Sequence, residues 1–508
     1  FSAKEYVKNR KVTFAYTFYR SEEDKYESLF NMFKDAFNLN GNNIGNSNLV
    51  AYMDIVRKHK LTSNSISDDE VLDIYDFISK IISNKKKEDP ENESRLLSYQ
   101  DNIDKLLTAT ITVDCDFVEN TLGPKLLLLT AEPDNEITQT DYDNLTPVDA
   151  VKFAAAYGQW LKAEYPDGPY KVVVGRDARP SGAMIQSLVM QTLVGHGIDV
   201  IDLGLSTTPT VEMAVPMESA QGGIILTASH NPKEWNALKL LNHKGEFLDA
   251  KAGASILRIA QTESFEFSAV DDLGLITPND TYIDKHIEAI LALPLVDAPA
   301  IKTKNFKVVV DAVNSTGGIA VPPLLKALGV EVIELHCTPN GQFPHNPEPL
   351  KEHLGDLMEA VVAHKAHLGF VVDPDVDRLA VVDEKGAMFG EEYTLVAVAD
   401  YILSKTPGDT VSNLSSSRAL RDVTQKRGGR YQASAVGEVN VVSMMKETAA
   451  VIGGEGNGGI IYPELHYGRD SLVGIALFLS HLAHIDMTVS VLKASYPFYA
   501  MSKNKVAL

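Results

Sequence analysis

The chain has 508 residues, room for about three domains, with 44% apolar and 23% charged side chains, the balance of an ordinary globular protein. Its 47 basic against 68 acidic residues leave a net charge of −21 and a pI near 5.1, a surface that repels phosphate backbones and anionic lipids, so neither nucleic acid nor membrane is an expected partner. Two cysteines, Cys115 and Cys337, make no disulfide framework, and the one long apolar run (472–485) is broken by Ser480, His481 and His484, so a cytoplasmic location is expected.

Composition shifts near residue 140. Before it the chain is rich in Asn, Lys, Ser and Asp, with helical spacing of apolar residues over 26–37 and 69–82 and a charged link, KKKEDP, at 85–90. Period-two alternation over 109–118, with a partner at 125–130 across Gly123-Pro124, predicts strands. Residues 1–140 therefore read as a separate α+β N-terminal region without a chemistry motif.

From Leu145 onward glycine, alanine and valine take over. Thr146-Pro-Val-Asp149 is a helix start, with a capping hydroxyl, proline at the first position and a carboxylate three residues on. Apolar strands are predicted at 171–174, 199–203, 223–226 and 237–241, again at 306–310, 331–336 and 368–372, and again at 410–414, 431–435 and 450–452. Helical spans lie between them, as at 181–196 and 322–328. Near-continuous Val/Ile runs with helical crossovers predict an α/β fold: three tandem similar α/β domains with mixed, mostly parallel sheets, placed at 141–262, 263–386 and 387–508. Ligands of such sheets sit beyond the carboxyl ends of strands. The motifs fall there.

Thr227-Ala-Ser229-His230-Asn231-Pro232 follows the third strand and offers a serine hydroxyl on a proline-stiffened loop, suited to a nucleophile or a phosphate carrier. Lys239, on the next strand, is placed to return to that loop as a cation or proton-transfer group. Asp373-Pro-Asp375-Val-Asp377-Arg378 sets three carboxylates two residues apart, an oxygen set for Mg²⁺, with Arg378 beside it to hold a phosphate. An Asp373 nucleophile of a metal-dependent phosphatase would use the same run. Gly453-Gly-Glu455-Gly-Asn457-Gly-Gly459 lets backbone approach a ligand while Glu455 and Asn457 present polar groups to sugar hydroxyls. Gly175-Arg176-Asp177-Ala178-Arg179 opens a helix, so Arg176 is an anion-site candidate, or half of a structural ion pair with Asp177. The run 341–347 reads as a connector, Asp470 as a helix cap or a cover for the sugar loop with His466, and Trp160 and Trp235 as packing residues.

Serine, aspartate and glycine motifs in this order resemble the α-D-phosphohexomutase family, with 311–318 and 341–349 also looking familial. The resemblance covers about 145–508. It implies a phosphohexomutase that interconverts hexose 1- and 6-phosphates, glucosamine or mannose phosphate favoured, through a phosphoserine at Ser229 and a 1,6-bisphosphate. It also implies Mg²⁺ held by Asp373, Asp375, Asp377 and a Ser229 phosphate oxygen, a hexose 1,6-bisphosphate activator, and a homodimer. His230 and Lys239 match positions around proton transfer, Arg378 a neighbour of the metal, and Glu455 and Asn457 the sugar-recognition loop. The family's Gly-Ile-Arg-Gly strand has no counterpart at 137–144, and its Arg/Ser/Gly/Thr-rich fourth-domain phosphate loop is not found. A catalytically incomplete phosphosugar-binding fusion or truncated mutase is thus the second expectation.

Overall fold

A computed structural model describes residues 145–499. The readings placed on 1–140 and on 137–144 lie outside the described residues.

Helix α1 (Pro147–Glu164) begins as its sequence predicts, with Thr146 Oγ1 accepting from Asp149 N and the Asp149 carboxylate accepting from Thr146 N. Its buried face (Ala150, Phe153, Ala154, Tyr157, Trp160, Leu161) joins helices α2 (Gly182–Gly195) and α4 (Ala250–Thr262) on one side of the first sheet. Helix α3 (Thr208–Met217) covers the other side. That sheet contains β1 (Lys171–Arg176), β2 (Asp199–Leu205), β3 (Gly222–Leu226), β4 (Leu238–Leu241) and β5 (Ile276–Pro278), in the order β4-β3-β1-β2-β5. Only β4 runs antiparallel, and its register sets Lys239 opposite Ile225 at the end of β3.

The fifth strand corrects an expectation. Ile276–Pro278 pairs with β2, so the first domain's sheet reaches past the boundary drawn at residue 262. Three residues, only partly buried, carry too little apolar periodicity to announce a strand.

Next comes α5 (Tyr282–Leu291), then α6 (Ala298–Thr303). The second sheet is built from β6 (Lys307–Asp311), β7 (Glu331–Leu335), β8 (Leu368–Val372) and β9 (Leu379–Asp383), flanked by α7 (Gly317–Ala327) and α8 (Gly355–Ala363). The third has β10 (Thr410–Asn413), β11 (Tyr431–Ser434), β12 (Ile452–Gly454) and β13 (Ile460–Ile461), flanked by α9 (Glu391–Lys405), α10 (Ala419–Lys426) and α11 (Glu438–Thr448). Their orders are β7-β6-β8-β9 and β11-β10-β12-β13, with the last strand antiparallel in both. Without β5, the first sheet has the same pattern, β2-β1-β3-β4. The described residues thus use one α/β unit three times.

The apolar run near the C-terminus is α12 (Ser471–His484), followed by α13 (Val489–Ala494). Twelve consecutive residues of α12 are buried, Phe478 edge-on to Phe370 and Phe389, because the helix is packed on every side in a core shared by the second and third domains. No helix among the described residues is long and apolar enough to cross a membrane.

Candidate active site at the junction of three loops

In each repeat the connection between the third strand and the antiparallel fourth carries one motif: Ser229 between β3 and β4, the aspartates between β8 and β9, Glu455 and Asn457 between β12 and β13. In each, the end of the first strand or the loop after it braces that connection. After β1, Arg179 donates to Asp177 Oδ2 at 2.8 Å and to the carbonyls of Ser229, Asn231, Pro232 and Trp235. After β6, the hydroxyls of Ser315 and Thr316 donate to the Pro374 carbonyl at 2.7 and 2.9 Å. In the third repeat the brace is the last residue of β10 itself, Asn413, whose Nδ2 donates to Glu455 Oε1 at 2.7 Å.

Ser229 lies in the left-handed region at φ +50°, a conformation costing an L-residue about 1–2 kcal/mol. Its amide donates to Thr227 Oγ1, which itself donates to Asp177 Oδ2, so the loop fixes the position of the serine. Ser229 Oγ donates to Asp373 Oδ2 at 2.8 Å, and His230 Nδ1 lies 3.4 Å from the same hydroxyl. The serine and metal motifs, expected on different domains, meet here.

Asp373, Asp375 and Asp377 are completely buried, and each offers a carboxylate oxygen within 4.8 Å of the others'. Asp373 Oδ1 accepts from the amides of Asp377 and Arg378, closing a tight loop in which the β-branched Val376 is forced to φ +67°. Burial and the neighbouring Asp375 and Asp377 charges push the Asp373 carboxyl well above the usual range. Two cations answer this charge. Lys239 Nζ lies 2.6 Å from Asp375 Oδ2 and 3.1 Å from Asp377 Oδ2; burial disfavours its charge, but the two carboxylates outweigh it and raise its pKa. Arg469 Nη2 donates to Asp377 Oδ2 at 2.6 Å. Thr208, at the start of α3, donates to Asp375 Oδ2. Asp375 Oδ1 remains buried with no hydrogen-bond partner among the described residues. An all-oxygen set with one orphaned anionic oxygen fits a hard divalent cation such as Mg²⁺.

Arg378 sits at the edge of this loop, 3.9 Å from both Asp377 Oδ1 and Glu348 Oε1. Both Glu455 oxygens are held, one by Asn413 and the other by Arg469 Nη1, while half-buried Asn457 accepts from Gly459 N at 3.2 Å.

Several readings change. Arg176 donates to Gln186 Oε1 and the Asp177 carbonyl; the buried ion pair with Asp177 belongs to Arg179, because the turn folds the second arginine back over its own loop. The run 341–347 is more than a connector: Phe343 lies beneath the Arg179 guanidinium, and Gly341, at φ +70° or so and against the Ala178 carbonyl, leaves no room for a Cβ. Asp470 does cap α12, accepting from Leu472 and Val473. Arg469, one residue earlier, passed unread. It is almost fully buried and bonds Asp377, Glu438 and Glu455 together, a role invisible locally because a Gly-Arg-Asp turn looks like any other.

Comparison with known proteins agrees with this geometry. Family models described as phosphoglucomutase/phosphomannomutase α/β/α domains I, II and III match residues 136–267, 281–386 and 390–499. A Thermococcus kodakarensis protein named phosphoglucomutase/phosphomannomutase is 36% identical over 365 residues, 72% of this chain and 79% of its own length. A Methanopyrus kandleri relative named "Probable phosphoglucosamine mutase" is 33% identical, over 71% and 78% of the two chains. A crystal structure of a Burkholderia thailandensis phosphoglucomutase/phosphomannomutase family protein superposes with a TM-score of 0.63 at 28% identity, covering 70% of this chain and 77% of that one. The chain belongs to the phosphoglucomutase/phosphomannomutase family, the α-D-phosphohexomutases.

Proposed function

We propose that this chain interconverts hexose 1- and 6-phosphates, glucosamine or mannose phosphate foremost, through a phosphoserine at Ser229. The observation that carries the proposal is the contact of Ser229 Oγ with Asp373 Oδ2, which sets a hydroxyl against a carboxylate triad from another domain.

In the forward half-reaction a sugar hydroxyl attacks the phosphorus of phosphoserine 229. The new P–O(sugar) bond forms, the P–Oγ bond breaks, and His230, whose Nδ1 lies 3.4 Å from the serine oxygen, takes the hydroxyl proton and returns it to the leaving Oγ, which ends as the free serine hydroxyl. Lys239, held as an ammonium by Asp375 and Asp377, neutralises charge on the transferring oxygens. The 1,6-bisphosphate then turns over in the site and returns its other phosphoryl group to Ser229. Mg²⁺, held by Asp373, Asp375, Asp377 and a Ser229 phosphate oxygen, supplies charge neutralisation when bound. Arg378 steadies a phosphate, Asn457 and the Glu455 loop address the sugar hydroxyls, and a hexose 1,6-bisphosphate primes the serine. An Asp373 nucleophile is disfavoured, since the backbone amides hold one of its oxygens and Ser229 the other.

The test is a coupled mutase assay on the full chain with glucosamine, mannose and glucose phosphates, Mg²⁺ and a trace of 1,6-bisphosphate. Turnover that vanishes in Ser229→Ala supports the reading and names the sugar. Phosphate release that survives the substitution favours the phosphatase.

A further inference from the structure

A second cluster of ligating side chains lies apart from the serine and the aspartates. His286 comes from α5, within the second family match, while His466 and Asp470 come from the loop before α12 in the third. His286 Nε2 is 2.9 Å and His466 Nε2 3.3 Å from Asp470 Oδ2, and these atoms lie within 4.8 Å of one another. Asp470 Oδ1 is taken up by the α12 amides, which leaves Oδ2 facing both rings.

Behind each ring stands a first-domain side chain on α3. Thr210 Oγ1 lies 2.9 Å from His286 Nδ1, and Glu212 Oε2 lies 3.5 Å from His466 Nδ1. Metal-binding histidines show this arrangement: one nitrogen faces the ion and the other is oriented by a hydroxyl or carboxylate. Hydrogen bonding alone leaves Glu212 unexplained, because it is 2% exposed and neither oxygen has a hydrogen-bond partner among the described residues. The chain nevertheless makes room for it. At Gly468 any Cβ would stand 1.8 Å from Glu212 Oε2. Once His466 Nε2 binds a cation, its Nδ1 must carry the proton, and Glu212 becomes the acceptor for it.

We propose that His286 Nε2, His466 Nε2 and Asp470 Oδ2 form a site for a zinc-like divalent ion, with Glu212 and Thr210 orienting the rings. Two imidazoles and one carboxylate select a borderline transition metal over Mg²⁺. The ion ties the second and third domains together, against α3 of the first, beside Arg469, the residue that grips Asp377. It is a clamp on the assembly of the active site and takes no part in phosphoryl transfer.

The experiment uses the full chain, stripped with chelator, refilled with Zn²⁺ in excess Mg²⁺, gel-filtered, and examined by metal counting and zinc X-ray absorption. Wild-type protein is expected to retain a zinc whose spectrum shows imidazole scattering. Asp375→Asn keeps that zinc, whereas His466→Gln loses one equivalent. Equal zinc in wild type and His466→Gln overturns the proposal. So does a zinc shell made of oxygen alone, which would leave the cluster a hydrogen-bonded junction. Should His466→Gln fail to fold, the Asp375→Asn spectrum decides: imidazole scattering sustains the site and its absence ends it.

Discussion

The serine loop and the aspartate loop occupy the same connection in successive repeats, yet they are held in different ways. The aspartate loop is short and largely holds itself, through Asp373 Oδ1 and two of its own amides, with two hydroxyls steadying one carbonyl. The serine loop is longer and depends on one buried arginine that reaches four of its carbonyls. Three nearby carboxylates need a rigid frame to keep their geometry against mutual repulsion. A serine in the proposed role of receiving and returning a phosphoryl group needs a loop held firmly from below.

Substitutions break or sharpen this contrast. The largest effect is expected from Ser229→Ala, which removes the proposed phosphoryl carrier: turnover falls roughly 10⁴-fold or more in a coupled assay, while Mg²⁺ binding measured by calorimetry persists. Asp375→Asn attacks the other loop; it lowers turnover about 10²–10³-fold and abolishes Mg²⁺ binding, with Ser229 still in place. Arg179→Ala leaves Asp177 buried without its cation and frees the serine loop, a stability loss of about 3–5 kcal/mol seen as a lower urea midpoint. Thr316→Val removes one of two hydroxyls on the Pro374 carbonyl and costs only about 1 kcal/mol by the same measurement.

The smallest effect concerns the strap at 341–347. His345 is half-buried, which by itself lowers its pKa, but Asp311 at 3.0 Å outweighs that and raises it above 6.5. A raised histidine stabilises the fold below the unfolded pKa and loses that contribution as pH rises through the folded value. His345→Gln should therefore flatten the stability profile just above pH 6.5, by a few tenths of a kcal/mol, a change read from denaturation at closely spaced pH.

The chemistry was legible in the sequence wherever it is local. Ser229, Lys239 and the three aspartates stand in the runs that announce them, and helix α1 starts where Thr146 and Asp149 say it must. What escaped acts at a distance. Arg179 and Arg469 make their contacts across the fold, and each sits in a polar turn whose composition is the same whether it points to solvent or inward. Strand β5 has three residues and β13 has two, too short for any period to show. The threefold repetition shows in the restarting strands of the sequence, whereas the shared strand order with an antiparallel fourth strand shows only in the structure.

Each repeat contributes one piece of the candidate site. The first domain holds Ser229, the second the three aspartates, and the third Glu455 and Asn457. The first two repeats must dock before the serine meets the carboxylates, and the third before Arg469 reaches Asp377. On the proposed function, turnover therefore reports that all three repeats have docked.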